Sequence, residues 1–195
     1  SCRFLESITI PEGVTQIRES AFSGCIELKS ISLPQSLEDI EDGAFGGCES
    51  LQSIVIPKNV GFIGKCLFRY CNQLVSITVE KGNKRYDSRQ NCNAIIETES
   101  NKLILGCSNS VIPYSVTSIG AEAFQNCTSL TNITIPDGVT SIGEAAFYGC
   151  TGLTNITIPD RVTSIGEGAF KGCTSLTSIT IPEGVTSIGN EAFSA

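Results

Sequence analysis

Ile135-Pro-Asp-Gly-Val-Thr-Ser-Ile-Gly-Glu-Ala-Ala-Phe-Tyr-Gly-Cys150 reappears almost intact from Ile158 to Cys173 and again from Ile181 to Phe193. Outward from this block the same spacing governs the chain. All seven prolines share one phase, at 11, 34, 57, 113, 136, 159 and 182, so successive intervals are 23, 23, 56, 23, 23 and 23. Seven phenylalanines (22, 45, 68, 124, 147, 170, 193) and seven cysteines (2, 25, 48, 71, 127, 150, 173) keep the same phase. Self-similarity at a fixed period of roughly 20–50 residues marks a stacked-repeat architecture.

Within a unit, Leu176-Thr-Ser-Ile-Thr-Ile-Pro182 alternates apolar and polar after the leucine, which predicts a short strand with one buried face. Proline ends it, having no N–H for a continuing ladder. Pro136-Asp-Gly138 is turn chemistry. Val-Thr-x-Ile makes a second extended piece, and Gly-x-x-Ala-Phe-x-x-Cys-x-x-Leu has helix-like spacing over little more than a turn. No single unit can bury its own apolar face, but stacked coils bury Leu, Ile, Val, Ala, Phe and Cys against their copies. Strands of adjacent coils then pair in parallel about 4.8 Å apart. The expectation is an α/β solenoid with one apolar core running along the stack.

Composition agrees with a folded, non-spanning chain. Apolar residues make up 41% and charged residues 17% of 195, and no apolar run approaches the roughly 20 residues a bilayer span needs. A net charge of −7 and a pI near 4.6 argue against nucleic acid, whose phosphates reward a basic face. The balance is uneven. Lys58, Lys65, Arg69, Lys81, Lys84, Arg85, Arg89 and Lys102 are opposed locally only by Glu80, Asp87, Glu97 and Glu99. No basic-then-apolar signal segment opens at Ser1, so an export signal is expected outside this chain. Both ends fall inside a repeat, which is expected of a piece of a longer protein.

The blocks from Ile135 to Cys150 and their copies resemble the BspA-like leucine-rich repeats, a 23-residue class of surface proteins in gut and oral bacteria and some parasitic protists. Asn91-Cys-Asn-Ala-Ile-Ile-Glu-Thr98 with Leu103-Ile-Leu-Gly-Cys107 resembles an atypical coil of bacterial members. The resemblance implies a right-handed leucine-rich-repeat superhelix with a parallel β-sheet on its concave side. It also implies export, attachment to the cell surface, and adhesion to host or microbial proteins. One domain is expected over 1–195, with regular coils at 1–79 and 113–195 and the atypical coil at 80–112.

From Glu80, where proline is due, to Pro113 there are 33 residues instead of 23. Ala94-Ile-Ile-Glu-Thr98 and Lys102-Leu-Ile-Leu105 flank Glu99-Ser-Asn101, a β-hairpin pattern. Ser110-Val-Ile-Pro113 is expected to stand in for the regular strand. Two readings of the basic stretch before the hairpin stay open. It is a tolerated insertion on the outside of the stack, or Lys84, Arg85, Tyr86 and Arg89 contact an acidic partner, since solenoid insertions often map to the binding face and Arg and Tyr favour hot spots.

The seven in-phase cysteines read as a ladder of reduced, buried thiols, because cysteine packs as a small hydrophobe. Cys66, Cys92 and Cys107 lie out of phase. Cys92 and Cys107 flank the hairpin symmetrically, which leaves a disulfide between them and separate burial as alternatives. With no histidine and no Cys-x-x-Cys, no zinc site or other metal is expected. The absence of histidine also removes the commonest general base, and no nucleophile elbow, P-loop or dinucleotide fingerprint occurs. Neither an enzyme nor a cofactor is expected.

If Leu and the two Ile of each strand point inward, the residues between them face the concave side: Thr131, Asn132, Thr134, Thr154, Asn155 and Thr157, with Lys29 and Gln52 in the N-terminal half. These are candidate binding residues, although Thr and Ser also simply suit an exposed sheet. Asn126, Asn132 and Asn155 begin N-glycosylation sequons, relevant only in a eukaryote. The functional expectation is a non-catalytic, extracellular adhesion or protein-interaction module. Its partner would be a protein or glycoprotein, host extracellular matrix included, and not nucleic acid. A structural spacer arm displaying other domains is the alternative, favoured by the near-identity of the last repeats.

Overall fold

In the computed structural model, which describes residues 2–194, the 23-residue period becomes the register between coils. Ser7 faces Ser30, Gln16 faces Asp39, Ser53 faces Ser76 and Ser141 faces Ser164, each pair parallel. The chain is a β-solenoid of about eight turns. Each N-terminal coil carries two short strands: β1 (Ser7–Thr9) and β2 (Gln16–Ile17), β3 (Ser30–Ser32) and β4 (Asp39–Ile40), β5 (Ser53–Ile56) and β6 (Phe62–Ile63). After β7 (Ser76–Val79) the atypical coil contributes β8 (Tyr86–Asp87), β9 (Ala94–Glu97) and β10 (Lys102–Gly106). Beyond it each coil has one strand: β11 (Ser118–Ile119), β12 (Ser141–Ile142), β13 (Ser164–Ile165) and β14 (Ser187–Ile188).

The helix suggested by the Ala-Phe spacing does not form. Among the described residues the only helical element is a 3-10 turn at Arg89–Asn91. The cause is a left-handed residue two places before each phenylalanine: Ser20, Gly43, Cys66, Glu122, Ala145, Gly168 and Glu191 all have φ between 50° and 60°. A second left-handed column follows at Gly24, Gly47, Tyr70, Asn126, Gly149 and Gly172. These positions turn alternate N–H groups along the stack. Ser20, Phe22 and Gly24 donate to the carbonyls of Asp42, Ala44 and Gly46 at 2.8–3.0 Å, and the pattern repeats in later coils. The intervening Ala21, Ser23 and Cys25 bond back three residues. Bonding from coil to coil replaces the bonds a helix would have made within one.

The parallel sheet expected on the Leu-x-Ser-Ile segments is only partly present. There β1 pairs with β3 and β5 with β7, but among the described C-terminal coils only the single bridge Asn132–Asn155 remains. Ser110–Ile112 alternates in burial, but 110–113 belongs to no strand. The Thr131 carbonyl there accepts both the N–H and the Oγ1 hydroxyl of Thr154, at 3.0 and 3.2 Å. The longer sheet lies at the Val-Thr-x-Ile segments. It runs β14-β13-β12-β11-β10-β9-β8, while β2-β4-β6 form a separate sheet from the same repeat segment.

Nor is the core a single body. One cluster runs from Ile17 to Cys107 and another from Cys92 to Ala192, and the hairpin stands between them as a wall. Ala94 and Ile96 face the C-terminal cluster, whereas Ile95 between them faces the N-terminal one. Next along, Leu103 joins the C-terminal cluster and Leu105 the N-terminal one, although residues two apart on a regular strand share a face. A register shift between Leu103 and Leu105 accounts for the switch. The hairpin is therefore internal and not an insertion on the outside of the stack. The phenylalanine column divides at the same place, into stacks 22-45-68 and 124-147-170-193 with centroids 5.2–6.0 Å apart.

Cys92 and Cys107 are free thiols, so the disulfide alternative gives way to separate burial. Cys92 packs in the C-terminal core and Cys107 in the N-terminal one, bonded respectively to the carbonyls of Ala94 (3.5 Å) and Asn93 (3.3 Å). Of the in-phase cysteines, Cys25, Cys48, Cys71, Cys150 and Cys173 are buried, Cys127 is half-buried and Cys2 is exposed. Cys48, Cys71, Cys150 and Cys173 each donate to the phenylalanine carbonyl of the preceding coil at 3.0–3.3 Å.

Candidate functional site

The basic stretch does not form a free contact patch. Tyr86 is only 3% exposed, because as part of β8 it turns into the N-terminal core. Burial raises its phenol above the ordinary value. Arg89 is held by Asp87 at 2.6 Å, by Asn101 Oδ1 at 2.7 Å and by Ser115 Oγ at 3.2 Å, which ties the atypical coil to the next one. Burial tends to raise the Asp87 carboxyl, but the Arg89 bonds and the Thr98 hydroxyl outweigh it and hold the group below its usual range. Arg85 is exposed, yet it donates to the Gly61 carbonyl at 2.9 Å and pairs with Glu97 at 3.4 Å. Lys84 is the member of the four with no bond assigned, and it is exposed. Tyr86 belongs to the Val-Thr-x-Ile side, where β8 pairs with β9, and Arg85 reaches Gly61 and Glu97 on that side.

On that other face the predicted residues do come together. Thr131, Asn132, Thr134, Thr154, Asn155 and Thr157 are all exposed on two adjacent rungs. Several of their polar groups are already engaged: Thr154 N donates to the Thr131 carbonyl at 3.0 Å, and Asn155 Nδ2 to its neighbour Thr154 Oγ1 at 3.2 Å. Lys29 and Gln52 share the face farther toward the N-terminus, where Lys29 pairs with Glu6 at 2.9 Å.

The break in the strand ladder opens a groove of about 420 Å³, which the sequence reading missed. Ser110, Val111, Ile112 and Tyr114 line one side, and Asn132, Ile133, Thr134 and Pro136 the other. Ile112 and Ile133 are buried in its floor, while Val111 is 68% and Tyr114 89% exposed at its rim. No lining residue is charged. Val111 N donates to the Cys92 carbonyl at 2.9 Å, which ties this rim to the strained Gln90, Asn91 and Asn93 (φ 58°, 53° and 49°). Such clusters of left-handed residues concentrate at functional sites. A column comparison would have found Tyr114. Tyr114 takes the place held elsewhere by Glu12, Gln35, Lys58, Lys81, Asp137, Asp160 and Glu183, and Val111 that of Thr9, Ser32, Val55, Thr78, Thr134, Thr157 and Thr180.

Comparison with known proteins fits this architecture. A sequence family described as BspA type leucine rich repeat region matches residues 1–98 and 94–195, in six copies. The chain belongs to this family. Its BspA-type coils are similar to those of a leucine rich cell surface protein from Faecalibacterium prausnitzii A2-165, with 38% identity and a TM-score of 0.82 over 99% of this chain and 52% of that one. The fold is shared with the pneumococcal vaccine antigen PcpA, at 23% identity and TM-score 0.77 over 95% of this chain and 54% of that one. A leucine-rich repeat protein of T. pallidum matches at 28% identity and TM-score 0.53, over 94% and 73%. The BspA-type chain thus spans about half the length of the first two of these structures. No curated protein matches it.

Proposed function

We propose that this chain is a non-catalytic interaction module at the cell surface, an adhesin segment that binds a protein or glycoprotein of a host or another microbe. Its coils would form one domain over 1–195, with the binding surface centred where the atypical coil interrupts the Leu-x-Ser-Ile face. The observation carrying this reading is the groove between Val111–Tyr114 and Asn132–Pro136, with an almost fully exposed tyrosine on its rim. Stacking needs neither Val111 nor Tyr114 exposed, and exposed aromatic anchors beside a groove are what partners use. The membership in a surface-protein family and the cell-surface name of the F. prausnitzii neighbour support the location.

The spacer reading draws on a different observation. Thr140, Thr163 and Thr186 each donate a hydroxyl to the carbonyl of the preceding coil, so much of the repeated threonine pattern serves stacking alone. Surface plasmon resonance against immobilised extracellular-matrix glycoproteins separates the two. The adhesin reading expects binding that falls at least about tenfold in Val111→Ser/Tyr114→Ser, a loss of about 1.4 kcal/mol, with an unchanged thermal midpoint. A spacer would bind none of them, and binding that survives both substitutions would place the contact away from the groove.

A further inference from the structure

Resting on that reading, we infer that the groove beside Tyr114 is a saccharide subsite, taking an uncharged sugar ring of a glycoprotein or polysaccharide. The lining chemistry selects this class. It carries no charged residue, so it offers nothing to a phosphate, a carboxylate or an ammonium group. Its floor is apolar, from Ile112, Ile133 and Pro136, and its rim bears short uncharged donors and acceptors at Asn132 and Thr134. A sugar ring has the same division: one C–H face of low polarity and an equatorial rim of hydroxyls.

The Tyr114 ring supplies the third element. The face of an aromatic ring is negative, and the C–H groups of a sugar face are weakly positive, so the two stack. At 89% exposed the ring is open to a ligand on its face. Asn132 leans on Thr131 Oγ1 through a long 3.4 Å contact, which leaves its amide available, and the Thr134 hydroxyl has no bond assigned among the described residues. The groove volume of about 420 Å³ lies within the roughly 300–1,000 Å³ usual for small-ligand sites. Tyr114 and Val111 occur together in no other coil, which makes this the one rung of the described stack with such a rim.

The test uses the intact chain and defined probes: lactose, cellobiose, maltose and N-acetyllactosamine by saturation-transfer NMR and titration calorimetry. Binding of at least one neutral sugar is expected, weakened about tenfold by Tyr114→Ala and by Asn132→Ala, and retained by Tyr114→Phe. Absence of binding to all four, or binding indifferent to Tyr114→Ala, overturns the saccharide subsite. A glycoprotein ligand, before and after enzymatic removal of its glycans, separates this from the adhesin reading. Loss of binding on deglycosylation supports the subsite. Binding that survives deglycosylation but falls in Tyr114→Ala overturns the subsite and keeps the adhesin, with a peptide in the groove. Binding that ignores both changes sinks the groove as the contact surface.

Discussion

Gly106 and Phe124 share the space of one side chain: a methyl group built on Gly106 would lie 2.1 Å from a Phe124 ring carbon. The atypical coil has no phenylalanine of its own, and Gly106 at the end of β10 lets the first ring of the second stack close over the hairpin. Gly106 N also donates to the Ala123 carbonyl at 2.9 Å, so the backbone there is fixed from both sides. Gly106→Ala therefore forces either the ring or the strand to move. It is expected to cost about 1–3 kcal/mol, the usual range for overpacking, measured by urea unfolding. Gly61→Ala is the control, because nothing lies within 4 Å of its added carbon. Equal stability of the two variants would refute the wall.

Ala145 and Gly168 occupy the same left-handed column with φ of 50° and 57°. The added carbon at Gly168 would meet nothing closer than 3.8 Å, so the difference between the residues there is conformational and not steric. A left-handed L-residue costs roughly 1–2 kcal/mol. Ala145→Gly is expected to raise stability by about 1 kcal/mol and Gly168→Ala to lower it by a similar amount. For a chain of this size that is a shift of about 2–4 °C in each direction. Shifts of the same sign would contradict the turn geometry assigned to this column.

The stack itself was legible because burial repeats with the sequence. Leu28, Leu51, Leu130 and Leu153, or Val60, Val116, Val139 and Val162, recur in phase and are fully or almost fully enclosed. The hairpin was legible too, from Ala94-Ile-Ile-Glu and Lys102-Leu-Ile-Leu around a turn. The Phe corner misled, since Ala-Phe-x-x-Cys spacing reports which side chains are buried and not which backbone conformation buries them. A left-handed Ala145 or Glu122 gives no compositional sign. Tyr86 and Arg89 misled for another reason. A basic run in an irregular segment looks like surface, but it takes the pairing partners, Asp87 and Asn101 among them, to show that the charge is already used. Tyr114 was within reach of the sequence, as the exception in an otherwise polar column, whereas Val111 shares its column with the exposed Val55.

The enclosed thiols should be nearly inert in the folded chain. Burial pushes Cys48, Cys66 and Cys127 up to about 12, and Cys71 and Cys150 are raised for the same first reason. Since only thiolate reacts, a group near 12 is about one part in ten thousand reactive at pH 8. Iodoacetamide at that pH is expected to modify exposed Cys2 within minutes and leave the buried cysteines largely untouched until denaturant is added, when all ten react. Peptide mapping after non-reducing digestion should find Cys92 and Cys107 in separate peptides. A linked pair would contradict the two cores to which they are assigned.

Acid should loosen the atypical coil through Asp87. Its folded value is depressed below the ordinary 3.8 by the bonds from Arg89 and Thr98, which overcome the opposing effect of burial. A depressed folded value means that the stabilisation is present above the unfolded value and is lost as pH falls from about 4 through the folded one. Asp87 and Arg89 are both partly exposed, so solvent screening keeps the contribution near the low end, about 1 kcal/mol or less. Asp87→Asn should remove this part of the acid dependence, and Arg89→Met should weaken it, since the residue 89 N–H and the Thr98 hydroxyl still reach Asp87, while also freeing Asn101 and Ser115. Protection factors of the amides between 86 and 102, that is, exchange corrected for its intrinsic pH dependence, are expected to fall a few-fold in the native chain from pH 6 to pH 3 and to be low at both pH values in Arg89→Met. If exchange in Arg89→Met matches that of the native chain at pH 6, the clamp is not holding this coil.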